Sequence, residues 1–275
     1  MAAIARFLKW QVGSRLVPGE VIYKWINDSK IVARTGETGV TGNIYCGLHE
    51  FPDMAFLLHV LRKGDLFVDI GANVGSYTIL ASSAIGAKGY SFEPVPSTYA
   101  RLMTNIRIND LGEQVIPLNV ALGNSKGEIN FSSDQNCMNH VIADGEITKN
   151  KIIVNVSTLD EELTDIPFLI KIDVEGYETP ALEGAKKTLQ DEGLCAVIME
   201  LNGAGNRYGY DEQKILDMMS GFGFKTYSYK PFERELSNLK GKNLTEGNTI
   251  FIRNMERISE RIKSAPKVEI HGVSI

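Results

Sequence analysis

A strand, a glycine turn and a helix follow one another in residues 66–80, LFVDIGANVGSYTIL, and this pattern constrains the fold most. The apolar run ends at Asp69, Gly71 and Gly75 follow, and apolar residues then recur at helical spacing. In an open parallel α/β sheet, such a turn lies beyond the carboxyl end of its strand, where ligands bind. The pattern therefore predicts a ligand site at residues 69–75.

Strands and helices alternate from Asp65 onward. Further apolar runs are GYSFEP, VIPLNVAL, FLIKIDVE and CAVIMEL, with helical patterns between most of them, and KTYSYK and NTIFIRN follow as two more strands without a helix between them. This alternation predicts an α/β fold: a mostly parallel, seven-stranded sheet with an antiparallel edge strand and helices on both faces. EINFSSD and KIIVNVSTL predict an antiparallel insertion around a polar loop.

The chain divides into three predicted parts: an N-terminal extension (1–50), the α/β domain (51–254) and a charged C-terminal appendage (255–275). Residues 20–48 read as hairpin-like strands around a glycine–threonine turn, TGETGVTGN. An amphipathic helix that packs on the domain is predicted before them, since its apolar residues recur at helical spacing. These are Ile4, Phe7, Leu8, Val12 and Leu16.

The charge balance argues against several classes of partner. The net charge is -5 and the pI is near 5.5, whereas a nucleic-acid or anionic-membrane surface needs a basic face. No apolar run reaches the ~18 residues that span a bilayer. Three scattered cysteines predict neither a disulfide framework nor a cysteine-rich zinc site. We expect a cytoplasmic protein without nucleic-acid partner or membrane span; its oligomeric state stays open.

The turn excludes the common nucleotide motifs. Asn73 replaces the second glycine of the dinucleotide fingerprint G-x-G-x-x-G, and no Walker lysine follows Gly75. Asp69 would repel a pyrophosphate but attract a cation. S-adenosylmethionine (SAM) carries a cationic amino-acid end and a ribose, and Glu93 follows Gly71 at a spacing that suits a carboxylate gripping ribose hydroxyls. The residues thus favour SAM.

VDIGANVGSYT, FEPVPSTYARL, LNVALGN, STLDEEL, KIDVEGYETPALEGA and VIMELN follow one another with the spacing of a known family. In these motifs the chain resembles the FkbM-family SAM-dependent methyltransferases over about residues 50–253. The resemblance implies a Rossmann-like methyltransferase fold and O-methylation of a saccharide or another small, natural-product-type acceptor. It implies the following cofactor-binding residues: Asp69, Gly71, Asn73, Gly75 and Tyr77 at the methionine-side turn, Glu93 at the ribose, Asn119 and Val120 beside adenine, and Asp173 opposite the transferred methyl.

The segment LIKIDVEGYE places Lys171 and Asp173 on one face of an apolar strand. Buried charges need partners, so the pair is either structural or part of the site. Methyl transfer to a hydroxyl requires alignment and often a base, and the candidate catalytic residues are Asp173, Glu175 and His140.

A divalent metal held by Asp173, Glu200 and Asn202 is the alternative to a side-chain base. We do not favour it, because Lys171 already neutralises one carboxylate, and we predict no metal ligands. Two other functions stay open at this point: a nicotinamide-dependent oxidoreductase and a non-catalytic SAM-binding module.

Overall fold

The structure is a computed structural model that describes residues 2–16, 19–132, 139–143, 145–148, 150–245 and 247–275. Its α-helices are α1 (Ala2–Leu16), α2 (Thr38–Cys46), α3 (Phe51–Val60), α4 (Ser76–Ile79), α5 (Pro96–Ile108), α6 (Leu159–Glu162), α7 (Glu178–Glu183), α8 (Lys186–Gln190), α9 (Glu212–Gly221) and α10 (Met255–Ser264). A π-helical turn, Leu80–Ile85, continues α4, and 3₁₀ turns span Ile26–Asp28 and Ala204–Tyr208.

The strands are β1 (Val21–Lys24), β2 (Lys30–Ala33), β3 (Leu66–Ile70), β4 (Lys88–Phe92), β5 (Val115–Leu118), β6 (Ala121–Leu122), β7 (Gly127–Ser132), β8 (Lys151–Ser157), β9 (Leu169–Ile172), β10 (Ala196–Met199), β11 (Lys225–Lys230), β12 (Glu235–Asn238), β13 (Thr249–Ile252), β14 (Glu269–Ile270) and β15 (Val273–Ser274).

The main sheet confirms the predicted α/β class. Within the described residues it has eight strands in the order β12-β11-β13-β10-β9-β3-β4-β5, of which β10, β9, β3, β4 and β5 are parallel. The predicted antiparallel pair is β11 with β13, but β13 also pairs antiparallel with β10 and so lies inside the sheet. The additional strand is β12, which extends the edge beyond β11.

Successive side chains of the parallel strands point to opposite faces, and each face carries helices. Phe67 packs with α3, the π-helical turn and α10, whereas Val68 packs with α7, α8 and α9. The strands are buried almost throughout because both faces are covered, which explains their near-continuous apolar sequences. The carboxyl ends of β3, β4 and β9 are left for the site.

The N-terminal part contains the antiparallel pair β1–β2, but the glycine–threonine segment is a helix rather than a turn. α2 buries Val40 and Ile44 against Ile31 and Val74. This apolar contact outweighs the weak helix propensity of threonine and glycine.

Helix α1 forms as predicted, but it faces the domain with different residues. Trp10 packs on the cluster around α2, and Arg6 Nε donates to Tyr45 O at 2.8 Å. Most of the apolar residues that were expected to pack are instead exposed: Ile4 (63%), Leu8 (55%), Val12 (58%) and Leu16 (77%).

Two smaller units flank the sheet. The predicted insertion is a separate sheet of order β6-β8-β7, with β7 and β8 antiparallel. At the C-terminus, α10 buries Ile258 and Ile262 in the core beside α3. Among the described residues, no helix has the length and apolar character that a membrane span requires.

Candidate active site

A cleft of about 480 Å³ opens at the carboxyl ends of the parallel strands. The turn after β3, the end of β4, the segment after β9 and part of α2 form its walls. Of the predicted residues, the cleft is lined by Asp69, Gly71, Asn73, Tyr77, Glu93, Val120, Asp173 and Glu175.

The glycine turn brings the backbone close to both neighbouring segments. Gly71 has a φ of 77°, and a Cβ there would lie 1.8 Å from the carbonyl oxygen of Asp173. Gly75 has a φ of 94° and begins α4, and its Cβ would meet Leu102 at 2.6 Å. Side chains are thus excluded at both positions, whereas Asn73 (φ 51°) is a residue type that tolerates the left-handed conformation.

Glu93 holds the turn in place from the end of β4. Its Oε2 accepts from Asn73 N at 3.0 Å and its Oε1 from Val95 N at 2.9 Å. Burial raises the pKa of Glu93 to about 7, although these two backbone N–H donors oppose the shift. A carboxylate oxygen can accept more than one hydrogen bond, so Glu93 retains acceptor capacity toward the cleft.

Asp69 is buried at the base of the turn and fixes the start of α4. Its Oδ2 accepts from Thr78 N at 3.0 Å and from Thr78 Oγ1 at 2.6 Å. Burial raises its pKa to about 6. It also lies opposite Lys171 in the parallel register of β3 and β9. Asp69 is therefore both a structural residue and part of the cleft wall.

The other predicted cofactor residues differ in position. Val120 lines the cleft, whereas Asn119 is exposed and donates through Nδ2 to Glu93 O at 2.8 Å and to Pro94 O at 3.0 Å. Asn119 thereby joins the ends of β4 and β5. Tyr77 lies in the wall, and its hydroxyl donates to Glu50 Oε2 at 2.6 Å.

Lys171 is the positive centre of the site and only 1% exposed. Its Nζ lies 3.1 Å from Asp173 Oδ2, 3.3 Å from Asn248 Oδ1 and 5.2 Å from the centroid of the Tyr77 ring. Burial alone would lower the pKa of Lys171, but attraction by Asp173 and Glu50 raises it above its ordinary value. The lysine is thus charged and paired, as both sequence-based interpretations required.

Three carboxylates meet beside this lysine. Oxygens of Asp173, Glu175 and Glu200 all lie within 4.8 Å of one another, a spacing at which they could share a proton or a cation. Burial, followed by repulsion from Asp173, raises the pKa of Glu175 and of Glu200 to about 7. The alternative metal set named Asn202 instead of Glu175, but Asn202 Oδ1 accepts from Ala204 N at 2.8 Å within its own turn.

His140 is buried outside the cleft lining. Its Nε2 lies 2.8 Å from Glu146 Oε1, and its backbone N–H donates to Ser132 Oγ at 2.9 Å. The neighbouring residues Asn139 and Val141 line the cleft. The structure therefore places the histidine beside the cleft wall rather than in it.

Sequence reasoning missed Glu50 and Asn248. Asn248 Nδ2 donates to Glu50 Oε2 at 2.9 Å and to Asp53 Oδ2 at 3.0 Å, so the two residues connect Tyr77 with Lys171. Glu50 precedes α3 and Asn248 precedes β13, far from every cofactor motif in the sequence. Only the buried lysine, which needs several acceptors, indicated that such partners exist.

The chain matches one protein family and is similar to one characterised methyltransferase. The Methyltransferase FkbM domain family matches residues 69–226 of the 275. The hexuronic acid methyltransferase AglP of Haloferax volcanii is 29% identical over 167 residues, which are 60% of this chain and 65% of that protein. The chain thus matches slightly less than two thirds of that relative's length.

Solved structures of methyltransferases are similar to this chain at low sequence identity and low TM-score. Methyltransferase FkbM from Methylobacillus flagellatus is 14% identical with a TM-score of 0.48, covering 70% of this chain and 44% of that one. An rRNA methylase from Streptococcus thermophilus is 15% identical with a TM-score of 0.40, covering 72% and 91%. These scores carry no functional argument. The family match, which spans the glycine turn, Glu93 and the KIDVEG segment, places this chain in the FkbM methyltransferase family.

Proposed function

We propose that this protein transfers a methyl group from SAM to a hydroxyl group of a saccharide that contains a hexuronic acid. The observation that carries the proposal is the shared cleft: the glycine turn, Glu93 and the carboxylates beside Lys171 all line it. The turn suits the donor and the carboxylates suit a hydroxyl acceptor. Membership in the FkbM family supports methyl transfer.

The cleft fits SAM in shape and in charge. Gly71 lines the cleft, and glycine is required there because a Cβ would collide with the carbonyl oxygen of Asp173, so the turn and the segment after β9 form one narrow wall of the cleft. Glu93 retains acceptor capacity for ribose hydroxyls, and Asp69 offers negative charge below the turn. Bound SAM supplies an electrophilic methyl group on a positively charged sulfur.

Glu175 is the proposed base. The acceptor hydroxyl loses a proton during transfer, and a group whose pKa lies near neutral accepts protons most effectively. Glu175 has such a pKa, about 7, because it is partly buried beside Asp173. Asp173, held by Lys171, orients the hydroxyl.

A saccharide acceptor is supported by the relative, which is a hexuronic acid methyltransferase. Sugar hydroxyls are aliphatic and weakly acidic, so they need the kind of base that the three carboxylates offer. The proposed acceptor class is therefore a hexuronate-containing saccharide, methylated on oxygen.

Calorimetry and a transfer assay test this function. We expect SAM and its demethylated product to bind with dissociation constants on the order of micromolar, as is typical of cofactor sites. NAD should show no binding at about 1 mM. Labelled SAM should then transfer label to glucuronic acid or its oligosaccharides. Binding of NAD instead of SAM would make the chain an oxidoreductase candidate, and SAM binding without transfer to any saccharide would favour a binding module.

The same assay tests metal dependence. Lys171 already supplies positive charge 3.1 Å from Asp173, so we expect transfer to survive EDTA and dialysis. Loss of activity in EDTA, with recovery in magnesium or manganese, would assign Asp173, Glu175 and Glu200 as metal ligands.

A further inference from the structure

A second cavity of about 590 Å³ adjoins the cleft. Tyr177 and Val141 line both spaces, so the second cavity shares a wall with the cleft that the three carboxylates line. The strands β7 and β8 contribute Ile129, Asn130 and Ile153 to its other side.

One wall consists of three tyrosines from two loops. Tyr177 follows β9, and Tyr208 and Tyr210 follow β10. The ring centroids lie 5.7 Å apart for Tyr177 and Tyr208, 6.4 Å for Tyr177 and Tyr210, and 5.9 Å for Tyr208 and Tyr210. All three side chains are only partly buried, so the cluster presents aromatic surface to the cavity.

The wall is held rigidly. Tyr208 donates its hydroxyl hydrogen to Val141 O at 2.6 Å, which connects the loop after β10 to the insertion. A Cβ at Gly176 would lie 2.6 Å from the carbonyl carbon of Ala204, so the two tyrosine-bearing loops touch through their backbones. An aromatic surface that is already ordered loses little conformational entropy when it binds.

The polar groups of the cavity suit a sugar. Arg207 is exposed beside the Tyr208 ring, 5.9 Å from guanidinium carbon to ring centroid, and Glu128 and Asn130 line the cavity as well. Aromatic faces pack on the apolar face of a pyranose, amide and carboxylate groups bind its hydroxyls, and a guanidinium pairs with a carboxylate.

We propose that this second cavity is a binding subsite for a neighbouring sugar unit of the acceptor, so that the protein acts on an oligosaccharide rather than on a free monosaccharide. The sugar ring stacks on the wall formed by Tyr177, Tyr208 and Tyr210, and Arg207 pairs with the carboxylate of a uronic acid. This inference rests on the proposed function and adds the size and the charge of the acceptor to it.

The test compares three probes by calorimetry in the presence of the demethylated donor product: glucuronic acid, a β-1,4-linked tetraglucuronate and the uncharged maltotetraose. We expect the tetraglucuronate, whose neighbouring units all carry a carboxylate, to bind roughly tenfold more tightly than glucuronic acid, as one added aromatic contact allows. Maltotetraose should bind more weakly than the charged tetrasaccharide, because it lacks a carboxylate for Arg207.

Variants separate the subsite from the rest of the site. Tyr210→Ala and Arg207→Gln should each remove most of the tetrasaccharide advantage, measured as the ratio of the two affinities, whereas Tyr210→Phe should retain it because the ring is kept. Phe232→Ala and Arg107→Gln, which change an exposed ring and an exposed arginine elsewhere, are the controls.

The outcomes distinguish the two proposals. Equal affinity for glucuronic acid and the tetrasaccharide, no tetrasaccharide binding, or an advantage that survives Tyr210→Ala would overturn the subsite. The proposed function fails separately, through absence of SAM binding or of methyl transfer to every saccharide.

Discussion

The role of Glu93 is decided by how its two oxygens are already used. Both accept backbone hydrogen bonds, one of them from the glycine turn, so the same carboxylate shapes the turn and faces the cleft. Glu93→Gln replaces one acceptor by a donor, and we expect SAM affinity to fall by about 2 kcal/mol, roughly thirtyfold. Calorimetry measures the loss, with the exposed Glu113→Gln as a control. SAM affinity within a factor of two of the unmodified protein would remove Glu93 from the site.

Gly71 offers a test at the turn itself. Gly71→Ala introduces a Cβ that would lie 1.8 Å from the Asp173 carbonyl oxygen, at a φ of 77° that alanine rarely adopts. We expect a loss of at least ~2 kcal/mol in the free energy of unfolding, together with loss of SAM binding. Gly112→Ala, where a Cβ meets nothing within 4 Å, should leave both unchanged. Equal urea midpoints for the two variants would contradict the close approach.

Residue spacing brought the glycine turn and Glu93 to one cleft but gave no sign of the partners of Lys171, and the assignment of the turn to SAM stays a prediction. Glu93 could be found because strand ends recur at regular intervals after a glycine turn. Glu50 and Asn248 could not, since they reach Lys171 only through the packing of α3 and β13. His140 was predicted from its loop alone; it is buried beside the cleft wall, and its role as a base stays a prediction.

At the scale of elements, strand β9 carries a charge into the sheet. Lys171→Met keeps an unbranched side chain that is one atom shorter, but it leaves Asp173, Asp69 and the Glu50–Asp53 pair without their cation. We expect a loss of about 3 kcal/mol in the free energy of unfolding, since an uncompensated buried charge is costly. Urea unfolding measures it.

Lys225→Met, at the exposed start of β11, is the matched control and should change stability by less than ~0.5 kcal/mol. The double change Lys171→Met with Asp173→Asn should cost less than the sum of the single changes, because the two residues form one pair. An additive result would mean that Lys171 and Asp173 do not interact.

Element prediction succeeded where periodicity was strong. The parallel strands were readable because burial on both faces produces continuous apolar runs. α2 was missed because threonine and glycine are weak helix formers, and only the contacts of Val40 and Ile44 make the segment helical. The sequence predicted helix α1 but not which of its sides faces the domain. Trp10 and Arg6 anchor one side, while Leu8 and Val12 stay exposed.

The whole molecule should respond to pH through its buried acids. Burial raises the pKa of Asp69 to about 6 and of Glu93, Glu175 and Glu200 to about 7. The folded state therefore binds more protons than the unfolded state between pH about 4.5 and about 7. These groups add stability below pH about 4.5 and lose that contribution as the pH rises through about 7, so the free energy of unfolding should decrease over this window.

Chemical denaturation at constant ionic strength from pH 5 to pH 8 measures this slope. The Glu175→Gln and Glu200→Gln double variant should make the slope shallower, because glutamine does not titrate, while Asp69 and Glu93 still contribute to it. SAM should bind more tightly as the pH rises from 6 to 8, since ionised Glu93 is the better acceptor. A slope that the double variant leaves unchanged would show that these carboxylates titrate at ordinary values.

The register that sets Asp69 opposite Lys171 has an evolutionary consequence. The glycine-turn side of the cleft is built from residues that also hold the sheet together, so a change there endangers folding as well as the proposed SAM binding. The tyrosines after β9 and β10 and the strands of the insertion are less involved in holding the main sheet together. Divergence toward new acceptors is therefore expected to proceed by exchange of these loops, while the strand ends beneath them are inherited almost unaltered.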